Sequence, residues 1–245
     1  MRKTDREIFA IAVPSIVANI TTPLLGLVDI AIVGHMGSAA YIAAIALGST
    51  MFSMIYWVFA FLRMGTSGTT AQAFGAGDRA ERDASLYRAM AVALGIGLLL
   101  VALHNPLREL MLRFFGGDAA VTALAARYFD ILIYGAPATM GLYVVNGWLI
   151  GVQNSRYTMF TSLIINIVNI AASLTLVYML HFGIEGVATG TLIAQWTGFL
   201  AGCLMIRRYR PAIGAWRRNR LTLTEKKRRK RLPSTSLRHA PIAGR

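Results

Sequence analysis

The chain has 245 residues, 56% of them hydrophobic and only 15% charged, with a mean hydropathy of +0.54. That balance excludes a soluble globular domain and points to a polytopic membrane protein. The net charge of +14 sits almost entirely in residues 207–245, which hold 14 of the 25 Lys and Arg and a single acid, Glu225; it describes a tail and does not mark the membrane part as nucleic-acid-binding.

Apolar runs bounded by charges or turn residues predict six transmembrane helices, over about 8–33, 41–62, 84–104, 127–150, 157–180 and 186–206. The first run, Ile8–Val33, is 26 residues long, enough to cross a bilayer with some tilt. The N-terminus, MRKTDREIF, resembles a signal peptide only in its positive charge, so the first span is expected to be retained. Asp29 lies inside this run. A carboxylate at that depth costs on the order of 2.5–3.5 kcal/mol, and chains that carry one commonly use it for ion coupling or substrate binding. The competing reading is a solvated or paired carboxylate near the outer helix end. Thr22 is seven residues before Asp29 and shares its helical face, with Asn19 to one side, so both can reach the carboxylate or a bound ion. Pro14 and Pro23 each remove a helix hydrogen bond.

The second run meets Arg63 and then an uncharged stretch rich in Gly and Thr, MGTSGTTAQAFGAG. Either one long helix continues toward Ala73 with Arg63 turned to protein or a water-filled cavity, or the span ends at Leu62 with Arg63 snorkelling to the interface. Between the third and fourth runs, PLRELMLRFF (residues 106–115) puts Leu107, Leu110, Met111 and Phe114 at helical spacing, as in a short amphipathic helix lying in the outer interface. Tyr143, Asn146 and Trp148 in the fourth run are candidates for a cavity wall or for interior packing. In the fifth run Asn166, Asn169 and Ser173 fall at i, i+3 and i+7, a polar stripe that should face the bundle interior. They either line a cavity or hydrogen-bond across helices. Gln195 and Trp196 in the sixth run offer the same choice, and Cys203 is expected to pack.

The four histidines, His35, His104, His181 and His239, stand at span ends or in the tail without metal-ligand spacing, and there is no nucleotide-cradling GxxxxGK[ST] pattern. No metal, no cofactor and no ATP-driven step are therefore expected within the chain. Basic residues gather on the side shared by both termini (Arg2, Lys3, Arg6; Arg79, Arg82, Arg88; Arg156; the tail), which predicts cytoplasmic termini in a multi-pass inner (plasma) membrane protein.

Three blocks carry a family resemblance: Pro14 to Gly37 with its D-I-A-I-V-G-H-M-G, Phe61–Asp78 (FLRMGTSGTTAQAFGAGD) and Gly183–Gln195 (GIEGVATGTLIAQ). In order and spacing they resemble the MATE multidrug and toxin extrusion family, its DinF-like branch in particular, over about residues 5–210. The resemblance implies an all-α membrane protein, its six spans (residues 1–206) forming one lobe of a two-lobe transporter, followed by a basic tail (207–245) expected to be disordered. It implies export of small amphiphilic, often cationic compounds in exchange for protons or sodium ions, with Asp29 in the ion-coupling position. Asn166 and Asn169 match the family's fifth-span pattern, and Ser173 stands where an acid is often found. Asn19, Thr22, Asn166, Asn169, Ser173 and Gln195 are the candidate cavity or substrate-binding residues. The family has twelve spans, so the chain is expected to be a truncated or frame-shifted half-transporter whose partners are the lipid bilayer, its small organic substrates and a missing second lobe. Alternatives are an inactive membrane fragment, or a rhomboid-type intramembrane serine protease built on Gly65-Thr66-Ser67-Gly68 with a histidine as base.

Overall fold

A computed structural model of the chain describes residues 16, 31, 32, 34 and 39–207. Asn19, Thr22, Asp29 and the basic tail beyond Arg207 lie outside the described residues. Every described element is helical: α1 (Ala39–Val58), α2 (Phe61–Gly75), α3 (Arg79–Ala102), α4 (His104–Phe115), α5 (Ala119–Leu132), a 3₁₀ turn (Ile133–Gly135), α6 (Ala136–Gly151), α7 (Ser155–Leu174), a π turn (Thr175–Met179) and α8 (Gly183–Ile206). Taken with their short breaks, these make five helical segments long and apolar enough to cross a membrane: Ala39–Gly75, Arg79–Ala102, Ala119–Gly151, Ser155–Met179 and Gly183–Ile206. They correspond to the second to sixth predicted spans.

The ends differ from the sequence reading where caps outweigh charge. Asp78 accepts from the Glu81 amide at 3.0 Å and starts α3 at Arg79, five residues before the expected 84. Asp118, in extended conformation, accepts from the Ala120 amide at 3.3 Å and starts α5 well before 127. Arg127 had marked the boundary, yet its guanidinium stays exposed and pairs with Glu185 at 3.5 Å, so the helix passes through it. Asp118→Ala is expected to lower stability by about 1 kcal/mol, read as a shift of the thermal unfolding midpoint in detergent.

Two spans are broken in the middle. Between α1 and α2 the bonds tighten to i→i−3: Leu62 N–H to the Phe59 carbonyl at 3.0 Å and Arg63 N–H to the Ala60 carbonyl at 3.1 Å. The helix then continues to Gly75, so the long-helix reading of the second run holds with a break beside Arg63, whose residue is exposed among the described residues. Between α5 and α6 the cause is Pro137, which cannot donate to the Ile133 carbonyl; the Ala136 amide takes that carbonyl in the tighter turn.

α6 is the axis of the bundle. Trp148, Leu149, Val144, Val145 and Met140 are fully buried. α2 and α3 flank it on one side and α8 on another, while α1 packs on α5 and α7 on α8. Phe52 of α1 stacks on Phe129 of α5 with centroids 4.8 Å apart. Glycines set the closest approaches. A Cβ on Gly97 would lie 2.4 Å from Pro137 Cα, and one on Gly147 would lie 2.6 Å from the Arg63 carbonyl oxygen. At the base of α3 the Trp148 indole donates to the Arg82 carbonyl at 3.2 Å, with the Arg82 guanidinium 5.6 Å from the ring centroid. Trp148 is thus interior packing and no cavity wall. The outside carries Trp57, Val58, Leu98, Leu99, Phe160 and Ile167, all exposed, which suits a lipid-facing surface.

The amphipathic helix expected over 106–115 is α4. Met111 is buried and Leu107 packs on the core, joined by Leu112 and Phe115, whereas Leu110 and Phe114 point outward. Arg108 ties it to Asp130 of α5 at 2.6 Å.

Candidate functional site

The polar stripe of α7 is buried: Asn166 is 9% exposed, and Asn169 and Ser173 are fully enclosed. It faces α8. Asn169 Nδ2 donates to Thr191 Oγ1 at 2.8 Å, and Thr191 donates in turn to the Val187 carbonyl at 3.0 Å. Ser173 sits where α8 carries Gly190, whose Cβ would lie 2.4 Å from Ser173 Oγ. Gln195 lies one turn beyond Thr191 on α8 and faces the 3₁₀ break, its Oε1 only 1.9 Å from where a Gly135 Cβ would be. Next to it the Trp196 indole donates to the Tyr134 carbonyl at 3.2 Å. Asn169 and Ser173 therefore meet α8, while Gln195 and Trp196 serve the break between α5 and α6.

Three of these side chains keep a buried oxygen that has no hydrogen-bond partner among the described residues: Asn169 Oδ1, Ser173 Oγ and Gln195 Oε1. Leaving a buried acceptor unpaired costs roughly 1–3 kcal/mol each. All three are neutral oxygens, the donor type that a hard cation or a protonated carboxyl takes. The first run comes close to the same region. Tyr178, in the π turn that closes α7, donates its hydroxyl to the Ile32 carbonyl at 3.2 Å, and Ile32 is buried. Asp29 precedes Ile32 by three residues in the chain. Tyr178 itself lies about 7.5 Å along the helix from Ser173.

A second polar group was only partly legible. Thr139, Tyr143 and Asn146 share a face of α6, and Tyr56 of α1 joins them. The Tyr56 and Thr139 hydroxyls are close neighbours without reaching hydrogen-bond geometry, and Asn146 Oδ1 is also unpaired among the described residues. The i, i+4, i+7 spacing of Thr139, Tyr143 and Asn146 was the available signal. Thr139 and Tyr56 escaped notice because single hydroxyls in apolar runs read as packing. The π turn and its Tyr178 tether had no sequence signal.

Among the described residues the serine-protease alternative fails on distance. Ser67 is on α2, half a turn from Thr69, which hydrogen-bonds Ser85 of α3 at 2.7 Å. His104 lies nineteen residues beyond Ser85, at the far end of α3, about 28 Å away along the axis. His181 follows the far end of α7. Neither can serve Ser67 as a base. Among the described residues no group of three or more His, Cys, Asp or Glu could hold a metal ion.

Comparison with known proteins gives one consistent result. The chain is 39% identical over 208 residues to DNA damage-inducible protein F of Escherichia coli (strain K12), covering 85% of this chain and 45% of that protein. It is 24% identical over 198 residues to a probable multidrug resistance protein NorM of Thermotoga maritima, covering 79% of this chain and 42% of the relative. Among solved structures it resembles the outward-facing conformation of a multidrug resistance MATE family transporter of the MOP superfamily, with a TM-score of 0.76 and 25% identity over 82% of this chain and 45% of that one. The inward-facing conformation matches with a TM-score of 0.70. The chain spans about half the length of the curated relatives it matches. The MatE family model matches residues 14–175, and with that match the chain belongs to the MatE family.

Proposed function

We propose that this chain supplies the ion-coupling half of a secondary exporter of small amphiphilic, often cationic compounds. Asp29 carries the coupling charge. Asn169, Ser173 and Gln195, with Asn166, Asn19 and Thr22, line the path of the proton or sodium ion and the substrate cavity. The termini lie on the cytoplasmic side of the inner membrane, the orientation that the distribution of basic residues favours. No bond is made or broken, so the chain acts as a transporter and not as an enzyme.

The observation that carries this reading is the set of unpaired buried oxygens on α7 and α8, with α7 closed by a turn whose Tyr178 bonds Ile32, three residues after the one acid of the first apolar run. Neutral oxygens poised beside a carboxylate can share a sodium ion with it or accept a hydrogen bond from its protonated form. Binding of either ion removes the site's net negative charge, which is the change an exchanger needs in order to release a cationic substrate. Two broken spans supply places where such a change can bend the lobe.

The test uses ethidium efflux from cells lacking their own exporters. The chain alone is expected to give none, and the chain co-expressed with the C-terminal half of its Escherichia coli relative is expected to give efflux driven by an imposed ion gradient. Efflux absent from both, with both halves present in the membrane, refutes the reading in favour of an inactive fragment.

A further inference from the structure

Between α2 and α3 a groove of about 360 Å³ opens to the outside of the bundle. Phe61, Leu62, Ala89 and Val92 line its inner length, Glu81 stands nearest the α2–α3 loop, and the Arg88 side chain reaches back to Glu81 from beside Ala89. Gly65 forms part of its wall, and a Cβ there would touch nothing within 4 Å. The glycines of α3, α6 and α8 that pack do so against helices already present, such as Gly97, Gly147 and Gly190. The groove is thus space left beside a helix with no side chain where one would narrow it.

We propose that this groove seats one acyl chain of a phospholipid with an ethanolamine headgroup, its second chain lying in the surrounding bilayer. The dimensions fit a single leaflet: Glu81 to Val92 spans eleven residues, about 16 Å of helix, against about 15 Å for half of the hydrocarbon core. The polarity runs the same way. The deep end is apolar. At the level of the Glu81–Arg88 pair, the Thr69 and Ser85 hydroxyls, 2.7 Å apart, add further polar atoms to the wall, where ester and headgroup oxygens of a lipid would stand. At the mouth, Glu81 and Arg88 form an exposed ion pair. An acid and a base side by side match a zwitterion. Arg88 takes the phosphate in charge-assisted hydrogen bonds, and Glu81 accepts from the ammonium, replacing an exposed pair of small worth with two. A choline headgroup has no N–H to give Glu81, and a glycerol headgroup offers it no positive charge. The mouth also faces the side that bears Arg79 and the α2–α3 loop, which the orientation proposed above makes the cytoplasmic leaflet; the binding chemistry itself does not depend on that orientation.

The occupant is read by native mass spectrometry of the full chain released from membranes of mixed ethanolamine, choline and glycerol phospholipids. One ethanolamine lipid per chain is expected to persist. Gly65→Leu, whose Cβ meets nothing within 4 Å and whose side chain narrows the groove, is expected to cut the bound fraction roughly tenfold, and Glu81→Gln roughly tenfold for the ethanolamine lipid alone, as loss of a charged hydrogen bond predicts. Arg88→Gln should weaken all three headgroups. Unaltered thermal unfolding in detergent shows that each variant is folded. Equal retention of the three lipids by the unaltered chain, unchanged retention by Gly65→Leu, or a dimer mass in place of the lipid adduct overturns the proposal. Because the readout is lipid mass and not efflux, it stands or falls separately from the transport reading.

Discussion

Gly147→Leu is expected to cost the lobe roughly 3 kcal/mol or more, or to keep it from accumulating in the membrane. The expectation follows from what a side chain would meet. A Cβ on Gly147 would lie 2.6 Å from the Arg63 carbonyl oxygen and 3.1 Å from Thr66 Cβ; one turn on, a Cβ on Gly151 would lie 2.6 Å from Thr70 Cβ and 2.9 Å from the Ser67 carbonyl oxygen. Two of these four contacts are backbone, which cannot swing aside as the end of a side chain can. α2 would have to move off α6 along the whole seam, and α6 is the helix on which the rest of the bundle is built. In a membrane such a seam rests on close packing, since lipid competes for apolar contact as well as protein does. The contrast lies on the other face of α2. Gly65→Ala meets nothing within 4 Å and removes a helical glycine, so it should be neutral or stabilising by up to about 1 kcal/mol. Paired thermal unfolding of the two variants in one detergent checks both. Equal midpoints would mean that α2 does not pack on α6 as closely as described.

Much of this lobe could be read from residue order, and the parts that could not have physical causes. Apolar run length located five spans because a bilayer imposes a minimum length on any helix that crosses it. Charge was a poorer guide to helix ends. Arg127 looked like a boundary, yet a long side chain at the membrane surface costs little when it can reach water and Glu185. The caps Asp78 and Asp118 were the better markers. The fourth span was read as unbroken although Gly135 and Pro137 stand at its break, whereas the break at Phe59–Ala60 contains neither Gly nor Pro and is a consequence of packing: α1 follows α5 while α2 follows α6 and α3. The stripe of Asn166, Asn169 and Ser173 was legible from spacing alone, but its partner was not. Thr191 and Gly190 come from the next helix, and periodicity within one helix does not say which neighbour it faces. Leu110 and Phe114 of α4 show the same limit, because an apolar residue at an interface satisfies lipid as well as core.

Asp29→Asn is expected to abolish gradient-driven efflux in the assembled two-half transporter while leaving the protein folded. Asparagine keeps nearly the size and hydrogen-bonding capacity of the acid and loses only its ability to change charge, so the loss of coupling would report titration or cation binding and not packing. Measured in inverted membrane vesicles, ethidium flux in the variant should no longer respond to an imposed proton or sodium gradient. Ser173→Ala separates the site from its scaffold. Its Oγ is buried and has no partner among the described residues, so if it only packs, removing it deletes an unpaired acceptor and should be neutral or stabilising, with coupling unchanged. If it is one of the oxygens that receive the ion, stability still holds or rises while the concentration of ion needed for half-maximal efflux increases roughly tenfold, about 1.4 kcal/mol. A rise in stability together with a loss of ion affinity cannot come from damage to the fold, and it would place the coupling ion between the first span and α7. Efflux that still follows the gradient in Asp29→Asn would instead assign coupling to a carboxylate of the other half.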